Sequence, residues 1–223
     1  MNSLIIGGTS GLGLEIAKQM QEVGDDVTVT GRRELNEDGI TVEHFDLSEP
    51  ELPRRINELV MKLPEIDVIV YAAGYFQDGR VTDLSDEQIE EMIDVGGRGL
   101  IYLMRSILDK QDHLPELVTI TSTSQWTPRE REPIYNFTKA GAAHFSHAMA
   151  RDGRVDKVLV AGPAGMRTRF QDGRELSDGE LETYLDPTWV AEQVMGLRGE
   201  DYSYRFAKIL RDPPTVEIVE TES

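Results

Sequence analysis

Cysteine is absent from this chain of 223 residues. Its absence excludes disulfide bonds, a thiolate nucleophile and a cysteine-ligated zinc site, and it fits a reducing cytoplasm. No apolar run approaches the ~20 residues that a membrane-spanning helix needs. Residues 1–8 are too short and too closely bounded by glycine for a signal peptide. We therefore expect a cytoplasmic protein without a membrane partner.

Basic side chains are also scarce. The 23 lysines and arginines stand against 41 aspartates and glutamates, so the formal net charge is -18 at pH 7. Such a charge repels the phosphate backbone of DNA or RNA, and we expect no nucleic-acid partner. The length suffices for an α/β domain that buries roughly 70% of its unfolded surface. No internal repeat or change of composition marks a linker, which predicts a single domain over residues 1–223.

What the chain does contain is a regular alternation of apolar runs and helical patterns. Residues 66–72 form a near-continuous apolar run typical of a buried strand, whereas residues 12–23 have apolar side chains at helical spacing. This alternation predicts an α/β fold, a doubly wound parallel sheet of Rossmann-like type with about seven strands and helices on both faces. Residues 212–223 are acidic, and we expect a solvated tail or an arm against a partner subunit. The other predicted strands are residues 4–6, 26–30, 41–45, 116–121, 155–161 and 202–210, and the other predicted helices are residues 49–63, 85–95, 100–108, 134–150 and 187–197.

Four glycines separate the first predicted strand from the first helix: Gly7, Gly8, Gly11 and Gly13. Glycine lets the backbone turn sharply and approach a ligand closely. The start of the helix presents unpaired N–H groups and a positive dipole end to a pyrophosphate. The spacing is Gly-x-x-x-Gly-x-Gly rather than the Gly-x-Gly-x-x-Gly of the commoner dinucleotide fingerprint. The pattern predicts a dinucleotide site, and an ordinary tight turn is the alternative.

Tyr135 and Lys139 stand four residues apart in a predicted helix, downstream of a hydroxyl-rich run that contains Ser122. On a helix this spacing places both side chains on one face, ~6 Å apart. A phenol has an ordinary pKa of about 10 and is a poor acid or base at neutral pH. A nearby ammonium favours the phenolate and lowers that pKa. Alone, the spacing is also that of many surface pairs.

Two further segments complete a pattern. Residues 71–74, YAAG, follow the fourth predicted strand, and residues 163–168, PAGMRT, follow the sixth. With the glycine loop, with Ser122 thirteen residues before Tyr135, and with Tyr-x-x-x-Lys, they resemble the short-chain dehydrogenase/reductase family over nearly the whole chain. The family motifs at these segments are Thr-Gly-x-x-x-Gly-x-Gly, Asn-Asn-Ala-Gly and Pro-Gly-x-x-x-Thr. Here the threonine, both asparagines and the glycine after proline are replaced.

The resemblance implies an oxidoreductase that transfers hydride between a nicotinamide cofactor and a small-molecule carbonyl or secondary alcohol. It implies that Tyr135 is the acid or base, that Ser122 orients the carbonyl oxygen, and that Lys139 lowers the tyrosine pKa and binds the nicotinamide ribose. It further implies a homodimer or homotetramer. The implied cofactor-binding residues are Gly7, Thr9, Ser10, Gly11, Leu12, Gly13, Arg32, Arg33, Asp46, Leu47, Ala72, Ala73, Gly74, Tyr135, Lys139, Pro163, Gly165, Met166 and Thr168.

The choice of cofactor rests on charge at the end of the second predicted strand. NAD-selective sites usually place an acid there to bind the ribose hydroxyls, whereas this strand is followed by Arg32 and Arg33. Arginine suits the 2′-phosphate through charge-assisted, often bidentate hydrogen bonds. NADP(H) is therefore the preferred cofactor, NAD(H) is the alternative, and Arg32 is the first choice of the two arginines. The opposing interpretation is that both arginines face solvent.

Departures from the family pattern leave a second function open. The family often has a Val-Asn pair in the helix after Ala-Gly, and that asparagine helps to hold a water behind the lysine. The matching pair here is Val95-Gly96, and both asparagines of Asn-Asn-Ala-Gly are missing as well. A catalytically impaired nucleotide-binding sensor or scaffold of the same fold is therefore the alternative to an enzyme.

The remaining candidates are secondary. Residues 129–132, RERE, are either a solvated loop or part of substrate recognition, and residues 170–185 replace the loop that covers substrate in the family. We expect no metal site and assign His144 and His147 to packing or subunit contact. Candidates for an apolar pocket wall are Tyr75, Phe76, Trp126 and Met166, and candidates for contact with an anionic substrate are Arg167 and Arg169.

Overall fold

The structure, a computed structural model, describes residues 1–168, 170, 182–199 and 201–223. Its strands are β1 (Asn2–Ile6), β2 (Asp26–Gly31), β3 (Ile40–His44), β4 (Val68–Tyr71), β5 (Leu114–Ile120), β6 (Val155–Pro163), β7 (Tyr204–Leu210) and β8 (Thr215–Glu222). They form one sheet in the order β3-β2-β1-β4-β5-β6-β7-β8. Pairing is parallel from β3 to β7, and β8 pairs antiparallel with β7.

Helices cover both faces of this sheet. They are α1 (Gly11–Glu22), α2 (Leu52–Lys62), α3 (Asp86–Ile93), α4 (Gly99–Gln111), α5 (Pro133–Met149) and α6 (Pro187–Arg198). One buried core includes α2, α4 and α5 through residues such as Ile56, Leu103 and Ala142. The other includes α1 and α6 through residues such as Ile16 and Val190. The doubly wound parallel sheet predicted from the sequence is confirmed.

The central strands are buried on both sides, as their apolar sequence requires. All four side chains of β4 are buried. Ile69 and Tyr71 belong to one core, and Val68 and Val70 belong to the other, because successive side chains of a strand point to opposite faces. Strand β1 lies between β2 and β4, so the winding reverses beside β1. Ligands of open α/β sheets bind at such a point, outside the carboxyl ends of the strands.

Residues 212–223, for which the sequence predicts an acidic tail, are mostly an eighth strand. Residues 215–222 continue the sheet from β7, with a bulge between Phe206 and Ala207. Most side chains of β8 are exposed. The alternating pattern of residues 215–219 was too short and too acidic to predict a strand, and β7 supplies the pairing that stabilises it.

The two helices predicted at residues 85–95 and 100–108 join into one helical segment. Ser85 caps its start in a capping box with Gln88. Between α3 and α4 the residues Asp94–Arg98 form a π-helical turn, a feature that is often found at functional sites. No helix in the described ranges is both long and apolar enough to cross a membrane.

Candidate active site

A cleft of about 940 Å³ opens at the carboxyl ends of the central strands. It is lined by the loop after β1, the ends of β2 and β4, the start of α5 and the segment after β6. Every catalytic and cofactor-binding residue predicted from the sequence lines this cleft. They meet there because parallel strands bring their carboxyl ends to the same edge of the sheet.

Three glycines of the loop after β1, Gly7, Gly8 and Gly13, are packed too tightly to carry a side chain. Gly7 has a φ of 82°, and a Cβ on it would lie 2.7 Å from the Cα of Ala73. A Cβ on Gly13 would overlap the carbonyl oxygen of Gly7. Helix α1 begins at Gly11, and the side chain of its N-cap residue Ser10 makes no capping hydrogen bond. The first N–H groups of α1 therefore face the cleft in the manner that suits a pyrophosphate.

The end of β2 places both arginines on the cleft, in different surroundings. Gly31 leaves room for Thr9, because a Cβ at Gly31 would overlap the Thr9 hydroxyl. The Arg32 guanidinium lies 3.3 Å from the carboxylate of Glu91 and 4.0 Å from that of Asp46. Arg33 is exposed. Arg32 is thus partly neutralised at the position where the sequence predicts a phosphate contact.

Asp46 is fixed by its own turn. Its carboxylate accepts hydrogen bonds from the backbone and the hydroxyl of Ser48, at 2.9 and 2.7 Å. Burial acts to raise the pKa of Asp46, but these hydrogen bonds, together with Arg32 and Arg55, hold it below its ordinary value. Asp46 and Leu47 line the cleft beside the arginines. Asp46 is therefore both a turn residue and a residue of the cleft.

Ser122, Tyr135 and Lys139 converge at the other side of the cleft. Ser122 follows β5 and its Oγ accepts a hydrogen bond of 3.2 Å from the backbone N–H of Ser124. Tyr135 lies in the first turn of α5 and Lys139 one turn later. Both side chains are buried, and the Lys139 Nζ lies 5.7 Å from the centre of the Tyr135 ring. Lys139 also donates a hydrogen bond of 3.1 Å to the carbonyl oxygen of Ile120.

The ionisation of this pair differs from the prediction that Lys139 lowers the pKa of Tyr135. Burial raises the pKa of Tyr135 well above its ordinary value; the neighbouring Ser122 and Arg129 act in the opposite direction, and Glu132 adds to the rise. Burial also lowers the pKa of Lys139 to about 8. Burial thus acts on both groups, and the neighbours that oppose the rise in the Tyr135 pKa are Ser122 and Arg129 rather than Lys139.

A polar cluster supports Ser122 from behind. The Ser124 hydroxyl donates a hydrogen bond of 2.8 Å to the buried carboxylate of Glu132. The Arg129 guanidinium donates to the Ser124 hydroxyl at 2.7 Å and to Glu132 at 3.1 Å. Arg129 and Glu132, the first and last residues of the run 129–132, therefore line the cleft. The two central residues form ion pairs outside this cluster, Glu130 with Arg80 and Arg131 with Asp78.

Aromatic rings flank the phenol. Phe76 meets the Tyr135 ring edge-on at 5.1 Å between ring centres, and Phe170 lies 6.0 Å from it. Tyr75 and Met166 also line the cleft. Trp126, the fourth candidate from the sequence, packs instead on Phe206 at 5.6 Å and against Gly162. Three of the four candidates thus form the apolar wall.

The position of the family asparagine is closed by packing. A Cβ on Gly96 would lie 2.7 Å from the Cβ of Thr138, so a larger residue there requires Thr138 to move. Tyr71, which replaces the first asparagine of the family segment, donates a hydrogen bond of 2.7 Å to the carbonyl oxygen of Val95. Gly96 and Tyr71, which both depart from the family pattern, therefore fix the π-helical turn, Gly96 by its packing against Thr138 and Tyr71 by its hydrogen bond.

The histidines lie away from the cleft. His147 stacks on Tyr204 with ring centres 3.8 Å apart, and its Nε2 lies 3.2 Å from Glu222. His147, Glu220 and Glu222 offer potential metal-ligand atoms within 4.8 Å of one another. Arg151 forms an ion pair of 2.6 Å with Glu222 in the same place. His144 is exposed on α5.

Arg211 lines the cleft and was not predicted from the sequence, and neither was the burial of Glu132 or the contact of Phe170 with Tyr135. The sequence could have indicated Arg211, because a charged residue directly after a parallel strand lies at the ligand-binding edge of the sheet. No sequence pattern indicated that Phe170 packs on Tyr135. Residues 171–181, which make up most of the predicted substrate-covering segment, and Arg169, the second candidate for an anionic substrate, lie outside the described residues. Arg167, the other candidate, lines the cleft and forms an ion pair of 3.2 Å with Asp186.

Comparison with known proteins agrees with this geometry. A protein of Staphylococcus epidermidis named as an uncharacterized oxidoreductase is 24% identical over 221 residues, covering 88% of this chain and 96% of its own length. The structure of a serine dehydrogenase in complex with NADP+ is 26% identical, with a TM-score of 0.78, and the match covers 92% of this chain and 94% of that one. An alcohol dehydrogenase from the archaeon Thermococcus sibiricus in complex with 5-hydroxy-NADP is 22% identical, with a TM-score of 0.80 and coverage of 96% and 97%. At that identity the likeness shows the fold alone.

The profile of one protein family matches most of the sequence. It is described as short chain dehydrogenase, and the match extends over residues 2–177. This range includes the glycine loop, Ser122, Tyr135, Lys139 and the segment after β6. The chain belongs to the short chain dehydrogenase family of oxidoreductases.

Proposed function

We propose that the protein is an NADP(H)-dependent oxidoreductase that interconverts a small-molecule carbonyl compound and the corresponding secondary alcohol. The observation that supports it most is the convergence of Ser122, Tyr135 and Lys139 in the same cleft as the open start of α1. A dinucleotide with its pyrophosphate at α1 can extend along the edge of the sheet toward Tyr135. The glycine loop, in which Gly7, Gly8 and Gly13 have no room for a side chain, fits such a ligand.

Each residue of the site has its own role in the proposed reaction. When bound, the nicotinamide supplies or accepts the hydride. In the reductive direction the Tyr135 phenol donates a proton to the substrate oxygen, and Ser122 donates a hydrogen bond that orients it. The raised pKa of Tyr135 keeps this proton in place until negative charge develops on the oxygen. Lys139 holds the nicotinamide ribose, while Phe76 and Phe170 limit the access of water to the phenol.

The preference for NADP(H) rests on charge. The end of β2 offers two arginines and no acid of its own, and the Arg33 side chain is exposed at the cleft. A guanidinium matches a 2′-phosphate in both charge and hydrogen-bond geometry. The similar structure of a serine dehydrogenase, 26% identical, is in complex with NADP+, which supports the same cofactor here.

The test is turnover of NADPH by the purified protein with a panel of ketones, aldehydes and quinones. Tyr135→Phe should lower the rate by about 10²- to 10⁴-fold, because it removes the acid, and it should leave NADPH affinity within twofold of wild type. A variant that keeps more than a tenth of the wild-type rate would remove Tyr135 from this role. NADPH binding without turnover of any carbonyl would favour the nucleotide-binding sensor or scaffold instead.

The assembly is proposed to be a homodimer or homotetramer formed through α4 and α5. Each of these helices exposes a large apolar side chain, Ile101 with 46% and Phe137 with 66% of its surface accessible. Burial of such side chains favours association. The mass of the protein in solution, measured by light scattering, decides this; a monomer at all concentrations contradicts it.

A further inference from the structure

Arg211 occupies a distinctive place in the cleft. It follows β7 directly and lines the cleft. Its guanidinium stacks on the Tyr184 ring at 4.5 Å, and Tyr184 in turn packs on Gly165, where a Cβ would lie 2.9 Å from the ring. This stack holds the plane of the guanidinium in a fixed orientation beside the segment after β6.

Among the residues that the structure describes, none accepts a hydrogen bond from the Arg211 guanidinium. Its Nη1 atom is buried and has no hydrogen-bond partner, and Arg211 forms no ion pair with any acid in the described ranges. A buried donor left unsatisfied costs about 1–3 kcal/mol. A ligand that accepts hydrogen bonds from the guanidinium would remove this cost.

Three other arginines that line the cleft form ion pairs with acids. Arg32 pairs with Glu91, Arg129 with Glu132 and Arg167 with Asp186. Within residues 1–168, 170, 182–199 and 201–223, Arg33 and Arg211 are the arginines of the cleft that pair with no acid. Arg33 lies where the 2′-phosphate is proposed to bind. Arg211 therefore needs an anion of its own.

The order of the strands places Arg211 away from the adenosine end of the cleft. Five strand spacings, or ~24 Å, separate β7 from β2 with its two arginines. Only two spacings, or ~10 Å, separate β7 from β5, whose end leads into Ser122. Arg211 thus lies nearer to Ser122 than to the arginines at the end of β2, and it lines the same cleft as Ser122 and Tyr135.

We propose that Arg211 binds a carboxylate of the substrate, so that the protein acts on small oxo or hydroxy acids. The inference rests on the proposed function, because it names the substrate class of the same site. One guanidinium matches one carboxylate in charge and in bidentate geometry, whereas a phosphate would keep excess negative charge. Because β7 lies two strands from β5, a small substrate whose carboxylate is bound by Arg211 can present its oxo or hydroxy group to Ser122 and Tyr135.

The test compares acids with their neutral esters. NADPH-dependent reduction of 2-oxo, 3-oxo and 4-oxo acids and of their methyl esters is measured for wild type, Arg211→Gln and Arg211→Lys. Wild type should prefer one acid over its ester by at least about tenfold in kcat/KM, since a hydrogen bond to a charged group contributes ~1.5–3 kcal/mol. Arg211→Gln should lose about 10- to 100-fold toward that acid, mainly through KM, and leave the ester unchanged. Arg211→Lys should lie between them because it keeps the charge and loses the bidentate geometry.

Arg105→Gln is the matched control. It removes the same charge from an exposed site on α4 that pairs with Asp109, and it should leave both acid and ester rates unchanged. Circular dichroism confirms that each variant is folded. Equal losses toward acid and ester in Arg211→Gln would overturn the assignment, because they would show a structural role. A fall in NADPH affinity in Arg211→Gln would overturn it as well, because it would place Arg211 on the cofactor.

A binding experiment separates this inference from the proposed function. The corresponding hydroxy acids, their methyl esters and phosphonate analogues are titrated calorimetrically into protein saturated with NADP+. Binding of a hydroxy acid to wild type and its loss in Arg211→Gln supports the carboxylate site even if no carbonyl is turned over. Tighter binding of the phosphonate than of the carboxylate, or no binding of any acid, overturns it. If no acid binds but neutral carbonyls are turned over, the carboxylate site is overturned and the proposed function stands.

Discussion

Replacing Glu91 with glutamine should tighten NADPH binding, although Glu91 belongs to a helix well separated in sequence from β2. The carboxylate of Glu91 lies 3.3 Å from the Arg32 guanidinium, whose side chain is 59% exposed. In the proposed complex the 2′-phosphate and Glu91 compete for the same guanidinium. Neutralising Glu91 removes that competitor and its repulsion of the phosphate, while the size of the side chain is conserved.

The magnitude follows from the exposure of the pair. An ion pair this exposed contributes about 0.2–1 kcal/mol, so Glu91→Gln should raise NADPH affinity by about 1.5- to 5-fold. Each direct arginine contact with the 2′-phosphate is expected to contribute ~1.5–3 kcal/mol, or about 10- to 100-fold. Because Arg32 is already engaged and Arg33 is not, Arg33→Ala should cost more NADPH affinity than Arg32→Ala. This reverses the order that the sequence suggests.

The assay is the dissociation constant of NADPH and of NADH for wild type and each variant, measured by fluorescence titration at fixed ionic strength. Affinity for NADH should change by less than twofold throughout, since NADH has no 2′-phosphate. The gain from Glu91→Gln should disappear in the Arg32→Ala background, which serves as the control. Wild type that binds NADH as tightly as NADPH would refute the charge argument. A loss of NADPH affinity in Glu91→Gln would refute the competition.

Three further outcomes are expected. Gly13→Val should weaken NADPH binding by about 5- to 150-fold in calorimetry, since overpacking costs about 1–3 kcal/mol; unchanged affinity in a folded variant would make the loop a structural turn only. Lys139→Ala should impair both turnover and NADPH affinity, and an effect on turnover alone would contradict the ribose contact. Lys139→Met should raise the free energy of unfolding at pH 7 by up to about 3 kcal/mol, because burial lowers the lysine pKa to about 8. That gain in stability should shrink as the pH rises from 8 toward the ordinary lysine pKa, because the unfolded chain then also loses the proton. A gain that is independent of pH in urea titrations would contradict the role assigned to the lysine charge.

The predicted fold and the membership of the cleft follow from local sequence patterns. Apolar runs such as residues 66–72 are buried on both faces of the sheet and therefore lack polar alternation, which distinguishes them from surface strands. Ser122, Tyr135 and the glycine loop follow strand ends or begin helices. Once the strands are parallel, these positions must meet at one edge. Their convergence therefore required no knowledge of tertiary contacts.

Other properties depend on contacts between distant segments. The burial that raises the pKa of Tyr135 arises from Phe76 and Phe170, which approach it from separate loops. The partner of Arg32 is on α3, which no pattern around β2 indicates. The strand at residues 215–222 forms because β7 presents an open edge, so its own sequence contains only a weak signal. Pairing and desolvation of this kind become visible only when the elements are assembled.

The acidic β8 also bears on how the protein avoids aggregation. As the last strand of the sheet, it presents an unpaired row of backbone groups to which a second chain could add. Ile218 and Val219 are exposed on it, 48% and 44% accessible, and they are flanked by Glu217 and Glu220. Negative charges next to an exposed apolar pair oppose aggregation, because two such acidic edges repel each other before their backbones can pair. The acidic end of the chain thus protects the sheet edge that it completes.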